Sequence, residues 1–156
     1  MLKKELIELY KAIGKEKGKG SIKFRFTLVK NETIISNEVK ALMEVESGIN
    51  KIMEPFFKER NDVVRAIGVF DKYAQTYTIP KDNKDKVFEF YEKIKPLETK
   101  FAKEKEEYDK QIEEYFNLLE EKVTKEFKFI SIAIDNCPDS LTTENMETFM
   151  KCKIII

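Results

Sequence analysis

The sequence predicts a mainly α fold: a long antiparallel helical hairpin, kinked or broken at two prolines, with short flanking helices and a minor β element. Three observations lead there. Leu28, Ile35, Leu42, Ile49, Phe56, Val63 and Phe70 put an apolar residue at every seventh position, the rhythm of one helix lying along another. Val87, Ile94, Phe101, Tyr108 and Tyr115 repeat that rhythm after an intervening turn. Residues 127–134, by contrast, alternate β-branched and aromatic residues with smaller or polar ones, the pattern of a strand.

In chain order, Leu2, Leu6, Leu9 and Ile13 share one face of a short amphipathic helix that Gly14 is placed to end. Residues 15–20 then read as a flexible linker of lysine and glycine. Ile22, Phe24, Phe26 and Leu28 alternate with Lys23, Arg25 and Thr27, which suits a half-buried strand, yet Phe24 and Leu28 also stand four apart as in a helix. Both readings fit. From Asn31 or Thr33 as cap, the first arm runs to about Gln75, with Val39, Met53 and Ile67 as companion seam and Glu46 and Arg60 interrupting it. Pro55 removes a backbone hydrogen bond and predicts a kink or break near 51–55, a kink fitting better because Phe56 keeps the heptad phase.

Residues 76–83 carry β-branched residues, Pro80, Asp82 and Asn83 and read as the reversing turn with one short extended segment. The second arm follows from Lys84, with Tyr91, Ile112 and Leu119 as its companion seam; Glu98 and Lys105 break that seam close to Pro96. Unbroken, each arm would be roughly 60 to 70 Å long at the helical rise of about 1.5 Å per residue. Broken at the prolines, the same segments would form a bundle of shorter helices. The strand at 127–134 would pair with residues 22–28 if those are extended. Ser140 or Thr142 caps a last helix from Glu144 to about Lys151, burying Met146, Phe149 and Met150, and Ile154 to Ile156 docks or adds a strand. The whole of 1–156 is expected as a single helical-hairpin domain, with 1–20 as N-terminal helix and linker and 126–156 as C-terminal strand and helix.

Residues 6–13 (LIELYKAI), 23–31 (KFRFTLVKN) and 38–42 (EVKAL), followed near the end by a short strand and residues 138–146 (PDSLTTENM), resemble a family of small proteins encoded by phages and prophages of low-GC bacteria. The resemblance covers residues 5–46 and 127–150, and the middle of the chain is longer than in that family. It implies a helical reading after Lys23 and a phage context. The family has no assigned activity, so the resemblance implies no cofactor and no catalytic residue.

The residues themselves point away from an enzyme. Proton transfer near neutral pH leans on histidine, and the chain has none. Two cysteines, Cys137 and Cys152, make no disulfide framework and read as reduced, and Cys137 reads as structural because the carboxylates of Asp135 and Asp139 beside it disfavour a thiolate. Glu104, Glu106, Glu107, Asp109, Glu113 and Glu114 alternate with lysines and read as a solvated face, with no metal site and no cofactor. There is no phosphate-binding glycine loop, no membrane-length apolar run and no signal-peptide block, so the expected location is the cytoplasm of a bacterial host.

Twenty-nine basic and twenty-nine acidic side chains cancel overall, but unevenly along the chain. Residues 1–30 carry nine basic side chains against three acidic, while residues 98–121 carry nine acidic against four basic. Lys15, Lys17, Lys19, Lys23 and Arg25, interleaved with Phe24 and Phe26, make a candidate anion patch. The simpler expectation is that the basic start screens the acidic arm within the molecule or a dimer, which makes nucleic acid an improbable partner. Phe57, Phe90, Phe116 and Leu118 lie off the main seams and form the candidate partner surface. The expected function is therefore a non-enzymatic phage-encoded protein-binding module, an inhibitor of a host defence or replication factor, working as a homo-oligomer or with a foreign protein. A virion component or assembly factor is the alternative, and a single-stranded nucleic-acid binder the third.

Overall fold

The computed structural model describes residues 1–156. In chain order the elements are α1 (Lys3–Glu16), α2 (Ile22–Ile52), α3 (Glu54–Ile67), β1 (Val69–Asp71), β2 (Thr76–Thr78), α4 (Lys84–Lys100), α5 (Ala102–Leu119), a 3-10 turn (Ile134–Asn136) and α6 (Thr143–Lys151). The protein is thus mainly α with one small antiparallel sheet. Its backbone groups into two units, Met1–Val45 with Tyr115–Ile156, and Glu46–Glu114.

The first unit brings both ends of the chain around the start of α2. The Ser21 hydroxyl accepts from the Phe24 N–H at 3.2 Å, so α2 is capped ten residues before Asn31, and the strand reading of residues 22–28 gives way to helix. The helical spacing wins because it buries Phe24 and Leu28 with Thr27 and Asn31 on one face, leaving Ile22 and Phe26 in water. Gly14 does not end α1, which continues to Glu16. Residues 17–20 are a tight hydrogen-bonded turn rather than a slack linker: Lys17 N donates to Ile13 O at 2.8 Å and Lys19 N to Glu16 O at 2.9 Å. Gly20 closes the turn with φ of +73°, and a side chain there would meet Pro138 at 3.1 Å.

Residues 127–133 are neither helix nor ladder strand and Ile134 opens the 3-10 turn, correcting the strand reading, and the segment does not pair with residues 22–28. Their backbone is satisfied in another way. The amide of Asn31, fully buried on α2, donates Nδ2 to Ile130 O and accepts the Ile130 N–H at Oδ1, both at 2.8 Å. Ile132 N donates to Ile154 O at 2.8 Å, Ile156 N to Ile132 O at 3.0 Å and Ile134 N to Ile156 O at 3.0 Å, a short parallel pairing with the last three isoleucines. Leu6, Leu9, Ile13, Phe24, Leu28, Ile35, Ile132, Phe149 and Ile154 are the heart of the core these contacts enclose. Thr142 caps α6 by accepting from Asn145 N at 3.3 Å; Phe149 is buried and Met146 half-buried, whereas Met150 is exposed, against expectation.

In the second unit α2 gives way to α3 at Met53 (φ −93°, ψ −1°), with Pro55 in the first turn of α3, where its missing N–H costs least. Pro96 lies inside α4, and the matching interruption falls later, at Phe101 (φ −104°, ψ 21°). Met53 and Phe101 are both buried, so each break is held by packing. The first arm ends at Ile67, short of Gln75, and Phe70 leaves the seam to enter β1. Gly68 is required at that exit, since a Cβ would stand 2.4 Å from Val64 O. The chain reverses through the hairpin of β1 and β2, pairing Val69 with Thr78, Phe70 with Tyr77 and Asp71 with Thr76. Partners then step backwards along α4 and its exit as α3 advances: Phe56 meets Phe101, Glu59 meets Lys100, and the Ile67 carbonyl accepts from Lys86 Nζ. That order makes α3 and α4 an antiparallel pair.

Asn31→Ala removes both hydrogen bonds between the buried Asn31 amide and the Ile130 backbone and should cost about 1 to 3 kcal/mol, against less than about 0.5 kcal/mol for the exposed Asn37→Ala, read by chemical denaturation. Equal effects from the two substitutions would contradict this packing.

Candidate interaction surfaces

The candidate anion patch is largely committed within the first unit. Lys17 Nζ bonds both oxygens of Glu32, at 2.6 and 2.8 Å. Lys19 Nζ lies 3.0 Å from Glu16 Oε2, and the other oxygen of this buried carboxylate accepts from Asn145 Nδ2 at 2.6 Å. A buried carboxylate is tolerated when both oxygens are engaged in this way. Phe24 lies in the core and has no face to offer a base. Lys15 is exposed on α1 and lines a cleft toward α6; Lys23 and Arg25 are exposed on α2 without an ionic partner. Elsewhere in this unit Lys3 reaches Glu121 at 2.6 Å and Lys4 reaches Glu120 at 2.7 Å, so part of the basic start does screen the acidic end of α5.

Phe57, Phe90, Phe116 and Leu118 divide two and two between the units. Phe57 is exposed, edge-on to Phe56 at 5.5 Å. Phe90 is half-buried beneath the Arg60 guanidinium, 5.5 Å from its ring centre. Phe116 is exposed next to the buried Tyr115, and Leu118 is half-buried in a groove of about 220 Å³ with Leu6, Leu42, Val45 and Val123.

Sequence periodicity missed the larger aromatic surface of the second unit. Tyr91, expected on the companion seam, is 66% exposed on α4, and Phe88 near it is 68% exposed. Phe70 and Tyr77 stack edge-on across the hairpin at 5.3 Å, both largely exposed, and Tyr73 at its tip is wholly in solvent. Asp71 Oδ1 shapes that tip by accepting from Tyr73 N at 2.8 Å and Ala74 N at 3.1 Å. The β-branched and aromatic residues at 69–70 and 76–78, flanking an Asp-containing turn, were the available signal for this hairpin.

A cleft of about 720 Å³ lies between α1 and α6 and is lined by side chains of both signs, among them Glu8, Lys11, Lys15, Glu144, Glu147 and Lys151. Such mixed lysine and glutamate walls present no activated nucleophile and no dominant charge for a ligand. No group of three or more metal-ligating side chains occurs, and no helix is long and apolar enough to cross a membrane. Both cysteines are free. Burial, not the neighbouring carboxylates expected from sequence, raises the Cys137 pKa. Burial, and then Glu5, pushes Cys152 up to about 11.

Cys152 therefore holds about a hundredfold less thiolate near pH 8 than a thiol of the ordinary 9.0 would. Alkylation followed by mass spectrometry should find it far slower in the native chain than in the unfolded one; equal rates would contradict its burial. Because the folded-state pKa is the higher one, the stability tied to this thiol is present below about pH 9 and lost as pH rises through about 11. No protein-family model, curated protein or solved structure matches this chain.

Proposed function

We propose that this chain is a non-enzymatic protein-binding module of a phage, acting in the cytoplasm of a bacterial host by occupying a surface of a host defence or replication factor. The observation that carries the reading is the placement of aromatic rings in the second unit. Of its ten aromatic residues, Phe57, Phe70, Tyr73, Tyr77, Phe88 and Tyr91 are exposed, Phe56, Phe90 and Tyr108 are half-buried, and Phe101 alone is buried. Folding therefore leaves six of the ten rings open to water. Each ring buries about 150 to 250 Å² when covered, and aromatic side chains supply the dominant contacts of protein interfaces. A partner that covers them recovers hydrophobic energy that the isolated unit forgoes. The resemblance of the chain's two ends to phage and prophage proteins supplies the biological setting.

A triple variant, Tyr73→Ser with Phe88→Ser and Tyr91→Ser, tests the reading. These side chains are exposed, so helicity and the melting temperature should stay close to those of the parent, while stoichiometric capture of one host protein from infected-cell lysate is lost. Capture unaffected by the three substitutions, or incorporation of the chain into purified phage particles without any host partner, would overturn it.

A further inference from the structure

We infer that a second copy of this chain docks against the first, the basic face of α2 in one copy lying along the acidic face of α5 in the other. The inference is independent of the proposed host partner, because it uses different residues.

The basic half lies in the first two to three turns of α2. Ile22, Phe26 and Val29 stand at i, i+4 and i+7, so they form one stripe, and all three are exposed, Phe26 at 56%. The core uses the opposite face, through Phe24, Leu28 and Asn31. Lys23, Arg25 and Lys30 flank the stripe, are exposed, and have no carboxylate within ion-pair distance. Lys30 instead rests its ammonium 5.5 Å from the Phe26 ring centre. Lys17 and Lys19, the cations that do have internal partners, are the ones outside this face. An apolar stripe bordered by three unpaired cations calls for a partner with apolar groups bordered by anions.

The chain carries such a partner surface. On α5, Glu106, Asp109, Glu113 and Phe116 stand at i, i+3, i+7 and i+10, again one stripe on one helix. All four are exposed, Phe116 at 59%, and none of the three carboxylates makes an ion pair. Tyr115, on the buried side of the same helix, shows which way the core lies. Glu120, past the end of α5, is already engaged by Lys4, so the free anions of this stripe are the three upstream of Phe116, with the exposed Lys110 at its edge. Three unpaired cations around exposed apolar residues and three unpaired anions leading to an exposed phenylalanine are complementary in charge, in helical presentation and in apolar content. Every molecule bears both halves, so a closed dimer forms two such contacts, and an open arrangement would grow head to tail.

Sedimentation velocity of the full chain at low and at high salt provides the test. Association should appear at low salt and weaken as salt screens the facing charges. Lys23→Glu with Arg25→Glu and Lys30→Glu should raise the dissociation constant by at least about tenfold, as should Glu106→Lys with Asp109→Lys and Glu113→Lys. Mixing the two charge-reversed chains should restore association between them, since the reversed faces match again, and circular dichroism checks that each has kept its helices. A monomer at every concentration and salt level overturns the inference. So does association that survives both reversals, or a mixture that remains monomeric.

Discussion

Asn31 is the side chain on which the first unit depends. It is fully buried about a third of the way along α2, where a polar amide is unfavourable unless every strong hydrogen-bonding group finds a partner. Its partners are the N–H and C=O of Ile130, so one helical side chain does for the extended segment what a neighbouring strand would otherwise do. That single anchor lets residues 127–134 run alongside α2 without a ladder. It also presents Ile132 to Ile154 and Ile155, and so draws the C-terminal isoleucines and α6 onto the core shared with α1. The antiparallel bridge between Leu2 and Lys122 ties the other end of the chain into the same unit.

The parts of this arrangement that follow a single periodicity were legible in the sequence. Leu28, Ile35, Leu42 and Ile49 are all buried, as are Val39, Met53 and Ile67 of the companion seam, because an interior helix must present its apolar residues on one side. The flanking helices and the cap at Thr142 were legible for the same local reason. What could not be read was which neighbour each segment meets. Residues 22–28 satisfy period two and period four together, and only the burial of Thr27 and Asn31 next to Phe24 and Leu28 selects helix. Residues 127–133 stay out of helix, but their partners are an asparagine side chain and a C-terminal tripeptide, neither of which leaves a strand signature.

The surfaces were the least legible feature. Heptad spacing assigns an apolar residue to a seam without asking whether anything lies opposite, so Phe70 and Tyr91 looked like core and lie in water. Of the four residues proposed as a partner surface, Phe57 and Phe116 are exposed, whereas Phe90 and Leu118 are half-buried. Charge asymmetry along the chain was visible in composition, but which charges are spent internally was not. Lys3, Lys4, Lys17 and Lys19 are held by Glu121, Glu120, Glu32 and Glu16, leaving Lys23, Arg25 and Lys30 as the unpaired remainder on the first three turns of α2. The division between committed and uncommitted charge, and between covered and uncovered rings, is what turns a composition into candidate interfaces.

Native-state hydrogen exchange reads the anchoring role of Asn31 most directly. If the Asn31 amide closes the first unit, the Ile130 N–H, which donates to Asn31 Oδ1, and the Ile132 and Ile156 N–H groups, which donate to backbone carbonyls, exchange together with those of Leu28 and Ile35 inside α2, at the rate of unfolding of the whole unit. Rapid exchange at Ile130 and Ile132 while the α2 amides stay protected would show that the extended segment opens independently, and would contradict the account.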